Sequence, residues 1–296
     1  MTGSILFGGI DTAKFHGSLI VLPVQKSVKD TYVDFTVALS SLSLTDASGE
    51  VAFSQSNLAL PVILDSGTTA TYLPDSVINP ILSGAGTIDD PDFGLIVPCS
   101  LSSSPANFSF GFGGTGGPTI VVPFGEFVTP IFLQDGSQPI FRKTKQPICS
   151  FGLLSSGTGP ILFGDTFLRS AYVVYDLTNN QIGMAQTNFN ASSSHVVEIT
   201  GSEIPSAAAT ATGVAVVQTF SGHPQVSNAP TKAGGAQATG AQGSPTFNLG
   251  AGATGSGGKT GAAITLGAPR TEAVTIVTAM VCLISLVFGS SMVLMI

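Results

Sequence analysis

Tryptophan is absent from this 296-residue sequence, and charged residues are scarce. Only 9% of the residues are charged, with 10 Lys and Arg against 17 Asp and Glu. Binding to a nucleic acid needs a basic surface that neutralises phosphates, and this sequence has no Lys and Arg cluster able to follow a phosphate backbone. Long helical patterns are scarce too, whereas Gly, Ser, Thr and Val are abundant. The composition therefore predicts an all-β folded part joined to a segment of low complexity.

The sequence has only three cysteines, and they lie in two different settings. Cys282 belongs to an apolar run at the C-terminal end, which leaves Cys99 and Cys149 as a pair in the part predicted to fold. This pair fits one disulfide that closes a loop of about 50 residues. Two buried free thiols, common in cytosolic proteins, are the alternative. The signs of secretion described below favour the disulfide.

Charge almost disappears after residue 190. Between Pro205 and Ala263 the only charged side chains are Lys232 and Lys259, and the rest is mostly Ala, Gly, Thr, Ser, Pro and Gln. Such a segment buries too little apolar area to offset its chain entropy. The composition therefore predicts a folded domain at 1–190 and a disordered stalk at 191–272, and the Ser, Thr and Pro content suits O-glycosylation.

Residues 273–296 form an uncharged apolar run that is long enough to span a bilayer. No Lys or Arg follows it, although a single-pass anchor usually has such charges. The favoured interpretation is a glycosylphosphatidylinositol attachment signal with Gly261 as the candidate attachment residue and 264–272 as the polar spacer. Ser256 is a second candidate, and a retained transmembrane helix is the alternative. Either anchor predicts a protein held at the cell surface through its C-terminus.

A secretory signal peptide is missing from the start of the sequence. The first residues, MTGSILFGGIDTAK, contain neither a basic region nor an apolar core. Two N-glycosylation acceptor patterns, at Asn107 and Asn190, are compatible with secretion but often occur by chance. Because an outer-surface anchor needs an entry signal, we expect the chain to be missing its beginning.

Local patterns predict strands and two short helices. Apolar and polar residues alternate over 33–40, with the period of two that is typical of a half-buried strand. Tyr172–Asp176 and Gln181–Ala185 are predicted to pair as a hairpin around two consecutive asparagines. Short helices are expected after Pro74 and after Asp165, which is a plausible N-cap.

One apolar run ends at a carboxylate. Residues 60–64, LPVIL, are followed by Asp65 and then by Ser66-Gly67-Thr68-Thr69. A buried carboxylate is costly unless it is hydrogen-bonded, neutralised or paired. Gly67 lets the chain turn so that amides approach the carboxylate, and Thr68 offers a hydroxyl donor. A solvated β-turn is the alternative, because Asp-Ser-Gly is an ordinary sequence at the end of a strand.

Three stretches in combination resemble the pepsin-like aspartic endopeptidases, in particular the fungal, surface-anchored members of the yapsin and candidapepsin type. They are GSILFGGIDTAKFHGSL, VILDSGTTATYLP and PILFGDTFLRSAYVVYDLTNNQIGMA. The resemblance covers about residues 3–187, including the cysteine pair, and implies a pepsin-like acid protease lobe, the C-terminal half of a two-lobed enzyme. In that family the strand before the aspartate lies beside a second strand, which here would end at Leu162-Phe163-Gly164.

The resemblance also implies a role for each residue around the carboxylate. The implied site residues are the catalytic Asp65, the supporting Ser66, Gly67 and Thr68, and the substrate-subsite candidates Thr69 and Leu162. Ser66 would lie in a hydroxyl contact between lobes, and Thr68 would bond the carboxylate. No metal or organic cofactor is implied.

The mechanism implied by the family needs two aspartates that share one proton, because like charges a few ångströms apart do not both ionise easily. One aspartate activates a water, and the other donates a proton to the scissile carbonyl of a peptide or protein substrate. No second Asp-Thr/Ser-Gly occurs in the sequence: the segments at Asp11, Asp46 and Asp165 lack the glycine. The chain is therefore predicted to hold half of an active site.

Three functions remain open. The preferred one is the C-terminal part of a secreted, surface-anchored aspartic endopeptidase whose missing N-terminal lobe is a required partner, so that this chain alone is inactive. A second is a symmetric dimer in which each copy contributes Asp65. The third is a non-catalytic β-domain at the cell surface that keeps Asp65 as a relic or as a stabilising turn residue.

Overall fold

In the computed structural model, residues 4–53, 58–211, 214–217 and 248–250 are described. The strands among them are β1 (Gly9–Asp11), β2 (Phe15–Pro23), β3 (Thr36–Asp46), β4 (Gly49–Ala52), β5 (Leu60–Leu64), β6 (Thr71–Leu73), β7 (Ile88–Asp90), β8 (Gly94–Pro98), β9 (Asn107–Phe112), β10 (Thr119–Pro123), β11 (Val128–Pro130), β12 (Ile148–Phe151), β13 (Leu153–Ser155), β14 (Ile161–Phe163), β15 (Ala171–Asp176), β16 (Gln181–Thr187), β17 (Val196–Glu198) and β18 (Ala207–Thr210). The helices are α1 (Asp75–Ala85), α2 (Asp165–Leu168) and two 3₁₀ helices, Cys99–Ser103 and Phe124–Phe127. The predicted all-β class is confirmed.

The largest sheet has eight strands and carries Asp65. Its order is β10-β9-β3-β5-β14-β6-β13, and β4 pairs with β3 outside this path. β14 is parallel to β5, with Phe163 opposite Leu64, and Phe163 also lies opposite Thr71 of β6. Residues 65–70, which we call the Asp65 loop, therefore leave the sheet on one side of β14 and return on the other.

Three smaller sheets complete the described part of the chain. β11-β12-β8-β7 and β15-β16-β2-β18 each have four strands, and β1 pairs with β17 alone. The predicted hairpin is confirmed, since β15 pairs with β16 and Asp176 lies opposite Gln181. Asn180 occupies the turn with φ 51°, a left-handed conformation that asparagine tolerates better than most residues.

Two local predictions differ from the structure. β3 begins at Thr36, and the side chains from Thr36 to Leu39 are all buried. Because successive side chains of a strand point to opposite faces, this run shows that both faces of β3 are covered rather than one. The helix after Pro74 is confirmed, but α2 begins at Asp165 itself and its N-cap is Gly164. Asp165 therefore lies in the first turn, where its carboxylate interacts favourably with the positive end of the helix dipole.

Phenylalanine fills the core of a chain that has no tryptophan. Fully buried rings come from β9, β12, β14, α2 and the second 3₁₀ helix, namely Phe108, Phe110, Phe112, Phe124, Phe127, Phe151, Phe163 and Phe167. The ring centroid of Phe110 lies 5.2 Å from that of Phe163 and 5.4 Å from that of Phe167, both edge-on. Such pairs add roughly 0.5–1.5 kcal/mol to the stabilisation from buried area. They fix β14 and α2, the two elements that flank the Asp65 loop.

The predicted disulfide between Cys99 and Cys149 is confirmed, with a sequence separation of 50 residues. It joins the first 3₁₀ helix to β12, and β12 pairs with β8 immediately before that helix. Cys149 is buried in the main hydrophobic cluster.

Residues 191–211 fold onto the lobe, although their composition predicts a stalk. β17 and β18 lie in this segment and pair with β1 and β2, and Ile204 is buried. The edges of the lobe supply partners that composition does not reveal. Apart from 214–217 and 248–250, the rest of the predicted stalk lies outside the described residues, as does the apolar run 273–296. No helix in the described part of the chain is long and apolar enough to cross a membrane.

We expect the paired change Cys99→Ala and Cys149→Ala to lower the free energy of unfolding by about 4 kcal/mol, because it frees a long loop in the unfolded chain. Urea unfolding of the full chain in mild detergent, in a Cys282→Ser background, measures this. The Cys282→Ser protein with both remaining cysteines is the control. Equal unfolding midpoints for the two proteins would contradict a stabilising disulfide.

Candidate active site

The Asp65 loop begins where the parallel pair of β5 and β14 ends. The backbone N–H of Asp65 donates to the carbonyl of Phe163, 3.1 Å away, which continues the strand pairing by one residue. Asp65 itself is partly buried, whereas Ser66 and Gly67 are exposed at the tip of the loop. The carboxylate therefore lies at the boundary between the core and an open face of the lobe.

Both oxygens of the Asp65 carboxylate accept a hydrogen bond from the loop. The Gly67 N–H donates to Oδ1 at 2.9 Å, and the Thr68 hydroxyl donates to Oδ2 at 2.6 Å. Thr68 is buried, so its hydroxyl is shielded from solvent and bonds to the carboxylate instead. These two bonds fix the plane of the carboxylate relative to the loop backbone.

Residues 164–166 hold the loop from the other side through consecutive backbone bonds. The N–H groups of Gly164, Asp165 and Thr166 donate to the carbonyls of Ala70, Thr68 and Thr69 at 3.2, 2.8 and 3.0 Å. This approach requires glycine at 164, because a Cβ there would lie 2.1 Å from the Thr68 carbonyl oxygen and 2.6 Å from that of Ala70. The family resemblance had singled out this glycine only as the end of the second strand.

A buried pair of hydroxyls lies beneath the loop, and no local pattern in the sequence predicts it. Thr71 and Thr166 are 2.8 Å apart between their Oγ1 atoms, and both side chains are buried. The backbone N–H of Thr71 also donates to the carbonyl of Gly152 at 2.9 Å. A Cβ at Gly152 would lie 2.7 Å from the Thr166 methyl carbon. The strand that returns from the loop is thus tied to both β13 and α2.

Tyr175 is a neighbour of Asp65 that sequence reasoning recognised only as part of a hairpin. Its ring packs edge-on against Phe35 at 4.5 Å between centroids, and the Phe35 carbonyl accepts the N–H of Leu64. Burial, together with the nearby negative charge of Asp65, raises the pKa of Tyr175 to about 12. Tyr175 is therefore a neutral phenol beside the carboxylate at any pH near or below neutrality.

The two predicted subsite residues lie in different environments. Thr69 is exposed on the loop, whereas Leu162 is buried in β14 opposite Ile63. Within the described ranges no three side chains among His, Cys, Asp and Glu lie close enough together to hold a metal ion.

The predicted modification sites are not part of the Asp65 site. Asn107 begins β9, is partly buried and donates from Nδ2 to the Pro105 carbonyl at 2.9 Å. Asn190 is exposed in the connection after β16. Gly261 and the alternative Ser256 lie outside the described residues.

We expect Gly164→Ala to cost about 3 kcal/mol of folding stability, because the new methyl group displaces the Asp65 loop or α2. Thermal unfolding of the full chain measures the loss. Gly201→Ala is a matched control, since a Cβ at Gly201 meets no atom within 4 Å. Equal melting temperatures for the two variants would contradict the close packing at Gly164.

Comparison with known proteins identifies one family. Residues 1–187 match the family model of the eukaryotic aspartyl protease. The probable aspartic-type endopeptidase opsB of Aspergillus oryzae is 42% identical over 201 residues, which cover 67% of this chain and 39% of that protein. Aspartic proteinase 3 of Saccharomyces cerevisiae is 34% identical over 213 residues, covering 70% and 34%. Candidapepsin-3 of Candida albicans is 34% identical over 196 residues, covering 65% and 43%.

The chain thus spans about two fifths of the length of the opsB relative that it matches. The family match extends from the first residue to the end of β16 and includes the whole Asp65 loop and the segment 164–166. On this match and on the way these two segments hold a single carboxylate, the chain belongs to the eukaryotic aspartyl protease family.

Proposed function

We propose that this protein works as an aspartic-type endopeptidase in which Asp65 is one of two catalytic carboxylates. The observation that carries the proposal is the arrangement of the Asp65 carboxylate at the start of its loop, at the boundary between the core and the exposed tip. There Gly67 and Thr68 hold one carboxylate oxygen each. A solvated turn needs neither the buried Thr68 donor nor the backbone bonds that residues 164–166 make to the loop.

The second carboxylate comes, in this proposal, from a lobe outside these residues. The chain contains one Asp-Ser-Gly and spans 39% of the length of the Aspergillus oryzae relative. Ser66 is exposed beside Asp65, where its hydroxyl is available to a partner lobe. A monomer of this chain alone then lacks half of the catalytic machinery and does not hydrolyse peptides.

The chemistry follows from bringing a second carboxylate beside Asp65. Two carboxyl groups at short distance hold one proton between them, because ionising both is unfavourable. The ionised group removes a proton from a water that attacks the scissile carbonyl, and the protonated group donates to the carbonyl oxygen. Collapse of the tetrahedral intermediate breaks the C–N bond, and a proton passes to the leaving amine. The substrate is a peptide or protein segment, with the exposed Thr69 as the proposed subsite residue, whereas the buried Leu162 supports the loop from β14.

The test compares the chain alone with the chain extended by upstream coding sequence that carries a second Asp-Thr/Ser-Gly. We expect the extended protein to cleave a fluorogenic peptide at acidic pH. We expect Asp65→Asn to lower its kcat by roughly 10²–10⁴-fold, the range typical of a lost general acid or base. Asp92→Asn is a charge-matched control at an exposed residue and should leave kcat unchanged.

The chain alone distinguishes the remaining possibilities. Cleavage by a preparation shown to be monomeric by light scattering would overturn the two-carboxylate proposal. Activity that rises with the square of the chain concentration would show that the second carboxylate comes from a second copy of this chain rather than from a different lobe. An extended protein that is folded but inactive would favour a non-catalytic surface domain.

We also propose that the protein is held at the cell surface through its C-terminal region. The disulfide indicates an oxidising compartment, and the apolar run 273–296 supplies either an attachment signal or an anchor.

We expect phosphatidylinositol-specific phospholipase C to release the protein from the membrane fraction of producing cells, because a lipid anchor has a phosphodiester that this enzyme cleaves. Gly261→Leu should reduce surface display, whereas Ser256→Leu, at the alternative attachment residue, should not. Retention of the wild-type protein after phospholipase treatment would identify a transmembrane helix instead.

A further inference from the structure

The chain does not leave the lobe where its last long strand ends. Residues 188–211, which we call the strap, turn back after β16 and cross the side of the lobe formed by β1 and β2. β17 pairs antiparallel with β1, and Asp11 lies opposite Val196. β18 pairs in parallel with β2, and Thr210 lies opposite Val21. The strap thus adds a strand to two separate edges.

The carboxylate of Asp11 is the main polar contact of the strap. It is buried, and it accepts the Ser194 hydroxyl on Oδ2 at 2.6 Å and the His195 N–H on Oδ1 at 2.7 Å. Oδ1 also accepts the N–H of Ala13 at 3.1 Å. Asp11 is not part of the Asp65 site, so these bonds have no role in the proposed chemistry.

Thr12 makes a second set of contacts with the same strap residue. Its backbone N–H donates to the His195 carbonyl at 2.9 Å, and its hydroxyl lies 2.9 Å from the ring nitrogen Nδ1 of His195. The Asp11-Thr12 pair therefore contacts the backbone and the side chains of Ser194 and His195. These contacts favour a Ser-His sequence in the bound segment, because Asp11 accepts a hydrogen bond from a hydroxyl and Thr12 contacts an imidazole.

The strap also fills an apolar recess. Ile204 is 5% exposed and packs with Ile10, Leu19, Val21 and Ala185 in a cluster separate from the main core. At its end Ala211 is buried in the main core, and most of the strap between these two residues is exposed, including all four residues of β18. The strap is therefore a surface-bound segment held by one large apolar side chain, Ile204, and by one small one, Ala211.

From this combination we propose that the β1–β2 side of the lobe, with Asp11, Thr12 and the Ile204 recess, is a peptide-binding site. Its ligand is an extended segment that presents Ser-His and, further along, a branched apolar side chain, and in this chain residues 188–211 occupy it in cis. Backbone bonding to a sheet edge supplies affinity, and the Ser, His and Ile contacts supply selectivity, as in other strand-addition complexes.

The Asp11 carboxylate keeps its charge, and with it these contacts, under mildly acidic conditions. The hydrogen bonds from Ser194 and His195, with a smaller contribution from the charge of Lys14, lower the pKa of Asp11 below its usual value. Tyr172 also lies beside Asp11, since its hydroxyl accepts the Asp11 N–H at 2.8 Å, and the titratable imidazole of His195 contacts the adjoining Thr12. Because the pKa of Asp11 is lower in the folded state than in the unfolded state, its ionised form stabilises the folded state. This stabilisation is complete above the unfolded-state pKa and is lost only as the pH falls through the folded-state pKa. The contribution of Asp11 to strap binding is therefore retained at mildly acidic pH.

Hydrogen–deuterium exchange of the full chain in mild detergent provides the first test. We expect the wild-type strap to exchange slowly and Ser194→Ala to raise exchange across 194–199 by about tenfold, the effect of losing roughly 1.4 kcal/mol of local stability. Ser193→Ala, one residue earlier and exposed, is the matched control and should exchange like wild type. A wild-type strap that exchanges as fast as an unstructured peptide would overturn the proposal.

A peptide added in trans provides the second test. A fluorescein-labelled peptide of residues 191–211 should bind the full chain that carries Ile204→Asp, because that strap leaves the recess, and should bind wild type at least tenfold more weakly. The same peptide with Ser194→Ala should bind the variant more weakly. Slow exchange in β3 and β9 confirms that the variant lobe is folded. If it is not folded, the paired strap change Ser194→Ala and His195→Ala serves instead, because it weakens the strap and leaves Asp11, Thr12 and the recess intact. Equal binding to variant and wild type, or no binding to either opened variant, would contradict a selective peptide site.

Discussion

The geometry of the Asp65 site depends on one close approach between two segments that are distant in sequence. Residues 164–166 donate three backbone hydrogen bonds to residues 68–70, and this is possible only because position 164 has no side chain. Each bond contributes roughly 0.5–1.5 kcal/mol net, so the three together offset part of the conformational entropy lost when the loop becomes ordered. The carboxylate is consequently positioned by the backbone of two elements and by one buried hydroxyl, rather than by the rotamer preference of Asp65 alone. A catalytic carboxylate must lie at a fixed distance from its partner carboxylate, and this requires such preorganisation.

The sequence predicted the parts of this site that are local. The apolar run before Asp65, the glycine at 67 and the hydroxyl at 68 are adjacent, so their meeting could be inferred from turn chemistry. The partner segment ending at Gly164 was found by family resemblance, because nothing in periodicity places β14 between β5 and β6. The hydroxyl pair of Thr71 and Thr166 has no local signal at all, since either threonine on its own is an ordinary strand or helix residue.

Burial was harder to predict than element type. The alternation at 33–40 indicated one covered face, but both faces of β3 are covered over 36–39, so the polar Thr36 is buried along with its apolar neighbours. The boundary after residue 190 has a related explanation. A composition average over some eighty residues describes a chain that cannot fold by itself. It does not predict that a short part of this segment, the strap, folds against the carboxylate of Asp11, two strand edges and an apolar recess of the lobe. Ile204 is the residue whose pattern alone could have shown the difference, as an isolated large apolar side chain among small ones.

The phenylalanine core has an optical consequence. Without tryptophan, the aromatic signals of the chain come from its four tyrosines against a background of weakly absorbing phenyl rings. Two of the four, Tyr172 and Tyr175, lie on β15, and each has a phenylalanine ring within 5.0 Å between centroids, Phe15 for the first and Phe35 for the second. In the tyrosine region, near-ultraviolet circular dichroism of the protein therefore includes a contribution from β15, a strand that has the strap cluster on one side and the Asp65 strand on the other.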